Sequence, residues 1–292
     1  MEGIFNAMVT AFDANGEIDE AGTRAVVRHS LDHLGMDGIF VGGTMGERYK
    51  MSGESLMKLY RIARQEAGRD IPMLANISSL ALEEVKELAA EAKKLEYDAV
   101  GLIPPFFHSY SSSEISSYYK YIADQVQLPV LIYVIPSFSG VEFSVEQLVE
   151  LLNYPNIMGI KYTHHDYYAL DRIRTACPNA TLLTGFDDIL IHGLLMGTDG
   201  AIGGTYNLTG RFAKRAWEAV RKGDYKQALE FQRQINDVED LLNETGLFAT
   251  IKAALREMGI ACGELKFPSA PVNEQQKIQA GKILQYLKEH DG

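Results

Sequence analysis

Eight short apolar runs, each followed by a longer segment with helical periodicity, constrain this chain more than any single residue does. The runs cover residues 3–12, 38–41, 72–76, 99–103, 129–135, 157–162, 180–184 and 200–203. Most are continuously apolar rather than alternating, as expected for parallel strands covered on both faces. Amphipathic segments lie between them at 20–34, 53–67, 81–95, 113–125, 144–152, 168–175 and 188–195. Ser144 with Gln147 three residues on has the form of a capping box. Strand–helix alternation with right-handed crossovers predicts a parallel sheet, and eight units fit a closed (β/α)8 TIM barrel. A doubly wound open sheet is the competing architecture, and the chain lacks its G-x-G-x-x-G turn. Past Asn207 the pattern is helical only, at 211–222, 224–244, 248–258 and 273–288. The expected division is therefore a barrel over 1–207 and a C-terminal helical extension over 208–292.

Composition narrows the function classes. The 292 residues suffice to bury a full core, and a net charge of −11 disfavours nucleic acid and anionic membranes as partners. The two cysteines, Cys177 and Cys262, have no C-x-x-C spacing. That speaks against a disulfide framework or a cysteine zinc site and fits a reducing compartment. The N-terminus lacks a basic region followed by an apolar run, and no apolar stretch is long enough to span a bilayer. A cytoplasmic protein is expected.

In a barrel of this kind the chemistry lies at the C-terminal ends of the strands. Lys161 ends the sixth run. A lysine there either snorkels to water or, desolvated, supplies a nucleophilic amine for Schiff-base chemistry. Gly42-Gly43-Thr44-Met45-Gly46-Glu47 follows the second run. It is either a tight strand–helix turn or an anion nest sized for a carboxylate; no G-K-[ST] follows, so it is not a phosphate loop. Tyr133 is placed either to shuttle a proton or to fill the core. Thr163 shares the face of Lys161. Asp187 and Asp188, after the seventh run, either bind sugar hydroxyls or cap the next helix. Gly203-Gly204-Thr205-Tyr206-Asn207 gives another loop of close approach. His29 and His33, at i, i+4, are expected on a solvated helix face rather than as a metal pair. His164-His165-Asp166 reads as a loop. Trp217 and the Tyr118, Tyr119, Tyr121 group read as packing or subunit contact.

Several of these motifs coincide in order. The glycine loop at 42–47, Tyr133-Val134-Ile135-Pro136, Gly159-Ile160-Lys161 and Gly203-Gly204-Thr205-Tyr206 resemble the N-acetylneuraminate lyase / dihydrodipicolinate synthase family along essentially the whole chain. The resemblance implies a homotetrameric class I aldolase that needs no metal or cofactor. It implies Lys161 as the Schiff-base residue for pyruvate or another 2-oxo acid, and Tyr133 as proton relay. Thr44, Gly43 and the loop backbone would hold the carboxylate.

The synthase branch carries an arginine where this chain has Phe138, and its inter-subunit tyrosine aligns with Pro105-Phe106-Phe107-His108. The sialic-acid lyase branch is closer. It matches Ile135-Pro136-Ser137-Phe138-Ser139-Gly140, Gly185-Phe186-Asp187-Asp188 and Thr245-Gly246-Leu247-Phe248. That likeness implies Gly185, Asp187, Asp188 and Phe248 in the sugar subsite, with an aldose as the second product. Three positions depart from the pattern: Met45 for Thr or Ser, Gly204 for Ser, and Val134 for Asn. Loss of the hydroxyl at position 45, where Met45 stands, costs on the order of 1 kcal/mol of carboxylate binding. The alternatives are a 2-keto-3-deoxy sugar acid aldolase or dehydratase, a dihydrodipicolinate synthase, and a barrel that binds a 2-oxo acid as a non-catalytic sensor.

Overall fold

A computed structural model describes residues 1–290. Eight parallel strands close into a barrel in sequence order: β1 (Gly3–Ala7), β2 (Gly38–Val41), β3 (Met73–Asn76), β4 (Ala99–Leu102), β5 (Val130–Val134), β6 (Ile157–Tyr162), β7 (Thr181–Thr184) and β8 (Gly200–Gly203). Closure is made by β8 on β1, with Ile4 opposite Ala201 and Asn6 opposite Gly203. Every strand except β6, where Met158 is half-buried, is buried along its full length. This explains why the runs are apolar without alternation.

The outer ring comprises α1 (Glu20–Arg28), α2 (Gly53–Ala67), α3 (Leu82–Lys94), α4 (Ser112–Gln125), a one-turn α5 (Pro136–Ser139), α6 (Val145–Leu152), α7 (Tyr167–Ala176), α8 (Leu190–Leu195) and α9 (Tyr206–Arg221). The extension is α10 (Tyr225–Asn243), α11 (Leu247–Glu257) and α12 (Glu274–His290). Among the described residues no helix is long and apolar enough to cross a membrane.

The structure corrects four expectations. The first run ends as a strand at Ala7. Its continuation leaves the sheet, and Phe12 forms an antiparallel bridge with Ile18. The helix expected over 20–34 changes to a π-helical turn at His29–His33. There Ser30 donates to the Val26 carbonyl and accepts from Asn6 on β1, which widens the helix at that point. His29 is consequently buried, with Nε2 2.9 Å from the Asn207 carbonyl, and is not on a solvated face. At Ser144 only half a capping box forms: Ser144 accepts from the Gln147 N–H, but the Gln147 amide reaches across to Ser112 and Ser116. The reciprocal box lies at Ser111 and Glu114. Past β8, α9 packs on β1 and serves as the eighth barrel helix.

The extension is tied to the barrel by a buried charge pair. Lys252 on α11 is fully buried and lies 3.1 Å from Glu47 Oε1, off hydrogen-bond alignment. It donates to the Glu264 carbonyl at 2.7 Å, and its ammonium sits 4.7 Å from the Phe12 ring centre. Burial lowers the Lys252 pKa, and the neighbouring Glu47 carboxylate opposes that shift. Glu47 Oε2 accepts from Lys50 Nζ at 2.9 Å and from the Lys266 N–H at 3.0 Å. Removing one member of a buried pair strands the other charge. Lys252→Met is therefore expected to lower unfolding free energy by about 3 kcal/mol, the low end of the range because Lys50 remains on Glu47. Urea denaturation measures this, and Lys252→Met with Glu47→Gln is expected to recover part of the loss.

Candidate active site

Lys161 is the penultimate residue of β6, in register with Tyr133 on β5 and Leu183 on β7. Gly159, two residues earlier, lets β7 approach: a Cβ there would lie 1.9 Å from the Thr181 carbonyl oxygen. The Lys161 side chain is buried at 5 % exposure, and Tyr133 at 3 %. Lys161 Nζ lies 4.0 Å from the centre of the Tyr133 ring and 5.5 Å from that of Phe40. The two rings meet edge to face at 6.2 Å. The amine therefore does not snorkel outward but is held inside the barrel mouth against aromatic faces.

The glycine loop flanks this pair. Gly42 has φ +70°, and a Cβ on Gly43 would overlap the Phe40 ring at 2.8 Å. Glu47 closes the loop at φ 58°, a left-handed conformation kept by the ion pairs described above. Glu47 N–H donates to the Thr44 carbonyl, and Thr10 donates to the Gly46 carbonyl at 2.7 Å. Among the described residues, the N–H groups of Thr44, Met45 and Gly46 donate to no protein acceptor. That is the requirement for an anion nest. Thr44 also lines a cavity of about 520 Å3 that Phe248, at the start of α11, closes from the extension side.

On the other side of Lys161 lie the ends of β7 and β8. A Cβ on Gly185 would sit 2.0 Å from Thr163 Oγ1 and 3.0 Å from Lys161 Cε, so glycine is what lets these three residues meet. Thr163 is buried with its hydroxyl unpartnered, and its N–H donates to the Val134 carbonyl at 2.8 Å. Val134 thus supports the site through its backbone, which any side chain provides.

Asp187 is buried. Its Oδ2 accepts from both the N–H and the hydroxyl of Thr205 at 2.7 Å, while Oδ1 has no partner. Burial raises its pKa to about 6, against the Thr205 hydrogen bonds and the Lys161 charge, which lower it. The capping alternative for Asp187 and Asp188 is overturned: α8 has no side-chain cap. Asp188 is half-buried with Oδ1 unpartnered. Met45 and Gly204 form one contact, since a Cβ on Gly204 would lie 2.6 Å from Met45 Cγ and 3.0 Å from Sδ. The thioether occupies the space of the side chain missing at 204.

Every residue singled out from the sequence for the site thus lies at this end of the barrel or on the loops around it. Lys161, Tyr133, Thr163 and Gly185 adjoin; Met45 and Gly204 adjoin; Thr44 and Phe248 share the cavity wall. Sequence reasoning passed over Phe40 and the α10 residues Gln232 and Glu239, and named Thr205 only as part of a loop. Gln232 donates to the Asp187 carbonyl at 2.9 Å and accepts from the Ile191 N–H. Phe40 carried a signal, being in the strand that feeds the glycine loop. The α10 residues carried none, because only the tertiary fold brings that helix to β7. The remaining candidates fall outside the chemistry. His164 Nδ1 accepts from the Asp166 N–H in a loop, Tyr119 bonds the Leu102 carbonyl, and Trp217 lies under Lys214 and Arg221.

The chain matches the model of the dihydrodipicolinate synthetase family over residues 1–287. It is 38% identical over 284 residues to an N-acetylneuraminate lyase of Clostridium perfringens, covering 97% of this chain and 98% of that protein. CdNal from Clostridium difficile, solved in complex with mannosamine, superposes with a TM-score of 0.95 at 35% identity, covering 98% of each chain. N-acetylneuraminate lyase from Fusobacterium nucleatum complexed with pyruvate gives a TM-score of 0.93 at 33% identity, over 98% of this chain and 96% of that one. These likenesses take in the barrel and its extension together, at identities well above those at which fold alone is shared. The chain belongs to the dihydrodipicolinate synthetase family.

Proposed function

We propose that the protein is a class I aldolase that cleaves N-acetylneuraminate, or a similar 2-oxo sugar acid, to pyruvate and an aldose. The observation that carries this reading is the buried Lys161 amine, 4.0 Å from the Tyr133 ring centre at the strand ends. The named activities of the relatives point the same way.

The Lys161 amine adds to the C2 ketone of the open-chain sugar acid, and loss of water gives an iminium. Tyr133 takes the proton from the C4 hydroxyl, the C3–C4 bond breaks, and its electron pair moves into the iminium as an enamine. The aldose leaves. The enamine is protonated at C3, and water releases pyruvate and restores the amine. Thr44, with Gly43 and the free N–H groups of Thr44 and Met45 in the glycine loop, holds the C1 carboxylate. Thr163, Gly185, Asp187, Asp188 and Gly204 face the hydroxyl-bearing chain, with Phe248 as the outer wall. The apolar Met45–Gly204 contact favours a second reading, a 2-keto-3-deoxy sugar acid with fewer polar substituents on that side. The free thiols of Cys177 and Cys262 fit a cytoplasmic setting for either.

We also infer a homotetramer. Tyr49 and Phe138 line one cavity with Phe106 and are 51 % and 63 % exposed, and Phe107 is 73 % exposed. Aromatic groups presented to solvent in this density mark a contact face.

Three measurements test these statements. Borohydride reduction in the presence of pyruvate is expected to add one reduced pyruvyl group at Lys161, read by intact mass and peptide mapping. An unmodified Lys161 overturns the aldolase, while cleavage of a keto-deoxy sugar acid without N-acetylneuraminate selects the second reading. KM for the sugar acid is expected to rise as pH falls through about 6, where Asp187 takes up a proton and ceases to be a full acceptor. A KM constant down to pH about 5 removes Asp187 from the subsite. Replacing both Phe107 and Phe138 by Asp is expected to lower the particle mass in light scattering, and an undiminished tetramer excludes that face.

A further inference from the structure

The peptide group that joins Gly204 to Thr205 is held at both ends. Its carbonyl accepts from Asn207 Nδ2 at 2.8 Å, and its N–H donates to Asp187 Oδ2 at 2.7 Å. The Thr205 hydroxyl donates to the same carboxylate oxygen at 2.7 Å. Thr205 precedes α9, where a threonine side chain ordinarily accepts from the first helical N–H groups. Here α9 has no side-chain cap, and the hydroxyl is turned to Asp187 instead. Asp187, Thr205 and Asn207 are all buried, Asn207 completely. The Asn207 amide is saturated. Nδ2 also donates to the Ala7 carbonyl at 2.9 Å, and Oδ1 accepts from Asn6 Nδ2 at 3.1 Å and from the Val9 N–H at 3.3 Å. Exchanging its oxygen and nitrogen would set the oxygen against two carbonyls, so one orientation of the amide fits.

Asn207 is itself anchored from outside the barrel. His29 Nε2 lies 2.9 Å from the Asn207 carbonyl, and a carbonyl only accepts, so that ring nitrogen donates. Asn6 donates to Ser30 at 2.8 Å as well as to Asn207. The π-helical turn and the end of β1 therefore converge on one side chain, which passes a single N–H bond to the mouth loop. The demand for that bond lies at Gly204. Without a Cβ, glycine offers little resistance to rotation of the peptide plane that follows it. Turned over, that plane would set its carbonyl against the Asp187 carboxylate. Held as it is, the two hydrogen bonds reinforce each other, since a carbonyl that accepts polarises the N–H of its own peptide. We propose that Asn207 is a positioning residue that clamps the Gly204–Thr205 peptide with its N–H on Asp187, and so fixes the carboxylate that faces the substrate hydroxyls. It touches no reacting atom. The substrate side of this statement rests on the proposed function; the clamp stands without it.

Both Thr205 hydrogen bonds lower the Asp187 pKa against burial, so loss of the N–H bond raises it. Lys161 and Asp188 also act on Asp187, and Asp187 acts on Tyr206 and Glu239; a substitution at 207 leaves all four in place. In Asn207→Ala, KM for N-acetylneuraminate is expected to rise about tenfold, with kcat within about threefold of the wild type. The rise of KM on acidification is expected to begin at higher pH than in the wild type. Borohydride trapping of pyruvate on Lys161 is expected to be undiminished. Asn207→Asp keeps the volume and the oxygen that accepts from Asn6 and Val9, and so secures a folded variant if Asn207→Ala unfolds. The same separation of KM from pyruvate trapping is expected there. An unchanged KM in a folded variant, or trapping and KM impaired together as a merely structural role requires, overturns the proposal. If the wild type traps pyruvate but cleaves no sugar acid, the substrate reading falls, and crystal structures of the variants decide the clamp. A turned-over Gly204–Thr205 peptide or a displaced Asp187 carboxylate supports it, and an unmoved pair overturns it.

Discussion

Pairing of β8 with β1 is the interaction on which the rest depends. A closed ring of parallel strands brings every strand end to one rim, so residues far apart in sequence become neighbours without any loop reaching across the molecule. Lys161 and Tyr133 meet because β5 and β6 are adjacent and in register. Thr205 reaches Asp187 because β7 and β8 are adjacent. Met45 touches Gly204 although β1 lies between their strands, because both loops fold inward over the mouth.

The helical extension does more than cover the outside of this ring. It reaches the mouth at three places: Lys252 pairs with Glu47 and holds the glycine loop in its left-handed closure, Phe248 walls the cavity, and Gln232 donates to the Asp187 carbonyl. The rim alone supplies the amine, the phenol and the nest. The surroundings of the Asp187 carboxylate, Thr205 and Lys161, also come from the rim. Separating the two parts would leave Glu47 without Lys252 and the Lys266 N–H, and the Asp187 carbonyl without Gln232.

Much of this was legible in the sequence, for definable reasons. Strands buried on both faces write themselves as uninterrupted apolar runs, and β2, β6 and β8 have the bounds the runs predict. The first run overshot because an apolar loop, 8–12, follows β1 and is as buried as the strand. The helix around His29 was misread because periodicity reports which face is apolar, not that Ser30 is pulled inward by Asn6. Lys161, Tyr133, Thr44 and Asp187 stood out because each lies near the end of a strand run or just after one. Gln232 lies near none: it looks like one more polar position on an amphipathic helix, and only the packing of α10 brings it to the Asp187 carbonyl. Sequence spacing reports local geometry well, and company across 45 residues hardly at all.

The Met45–Gly204 contact carries a historical consequence. Two side chains that compete for one volume are not free to change in either order. A residue larger than glycine introduced at 204 meets Met45 Cγ at 2.6 Å, close to the root of the thioether rather than at its mobile end. A smaller residue introduced at 45 first meets nothing and merely opens room. The route from this chain to one with hydroxyls at both positions therefore runs through 45 before 204, and the reverse route through 204 before 45. The pair behaves as a ratchet with a preferred order of steps, so relatives carrying a small residue at both positions are reachable intermediates, while those carrying a large residue at both are not.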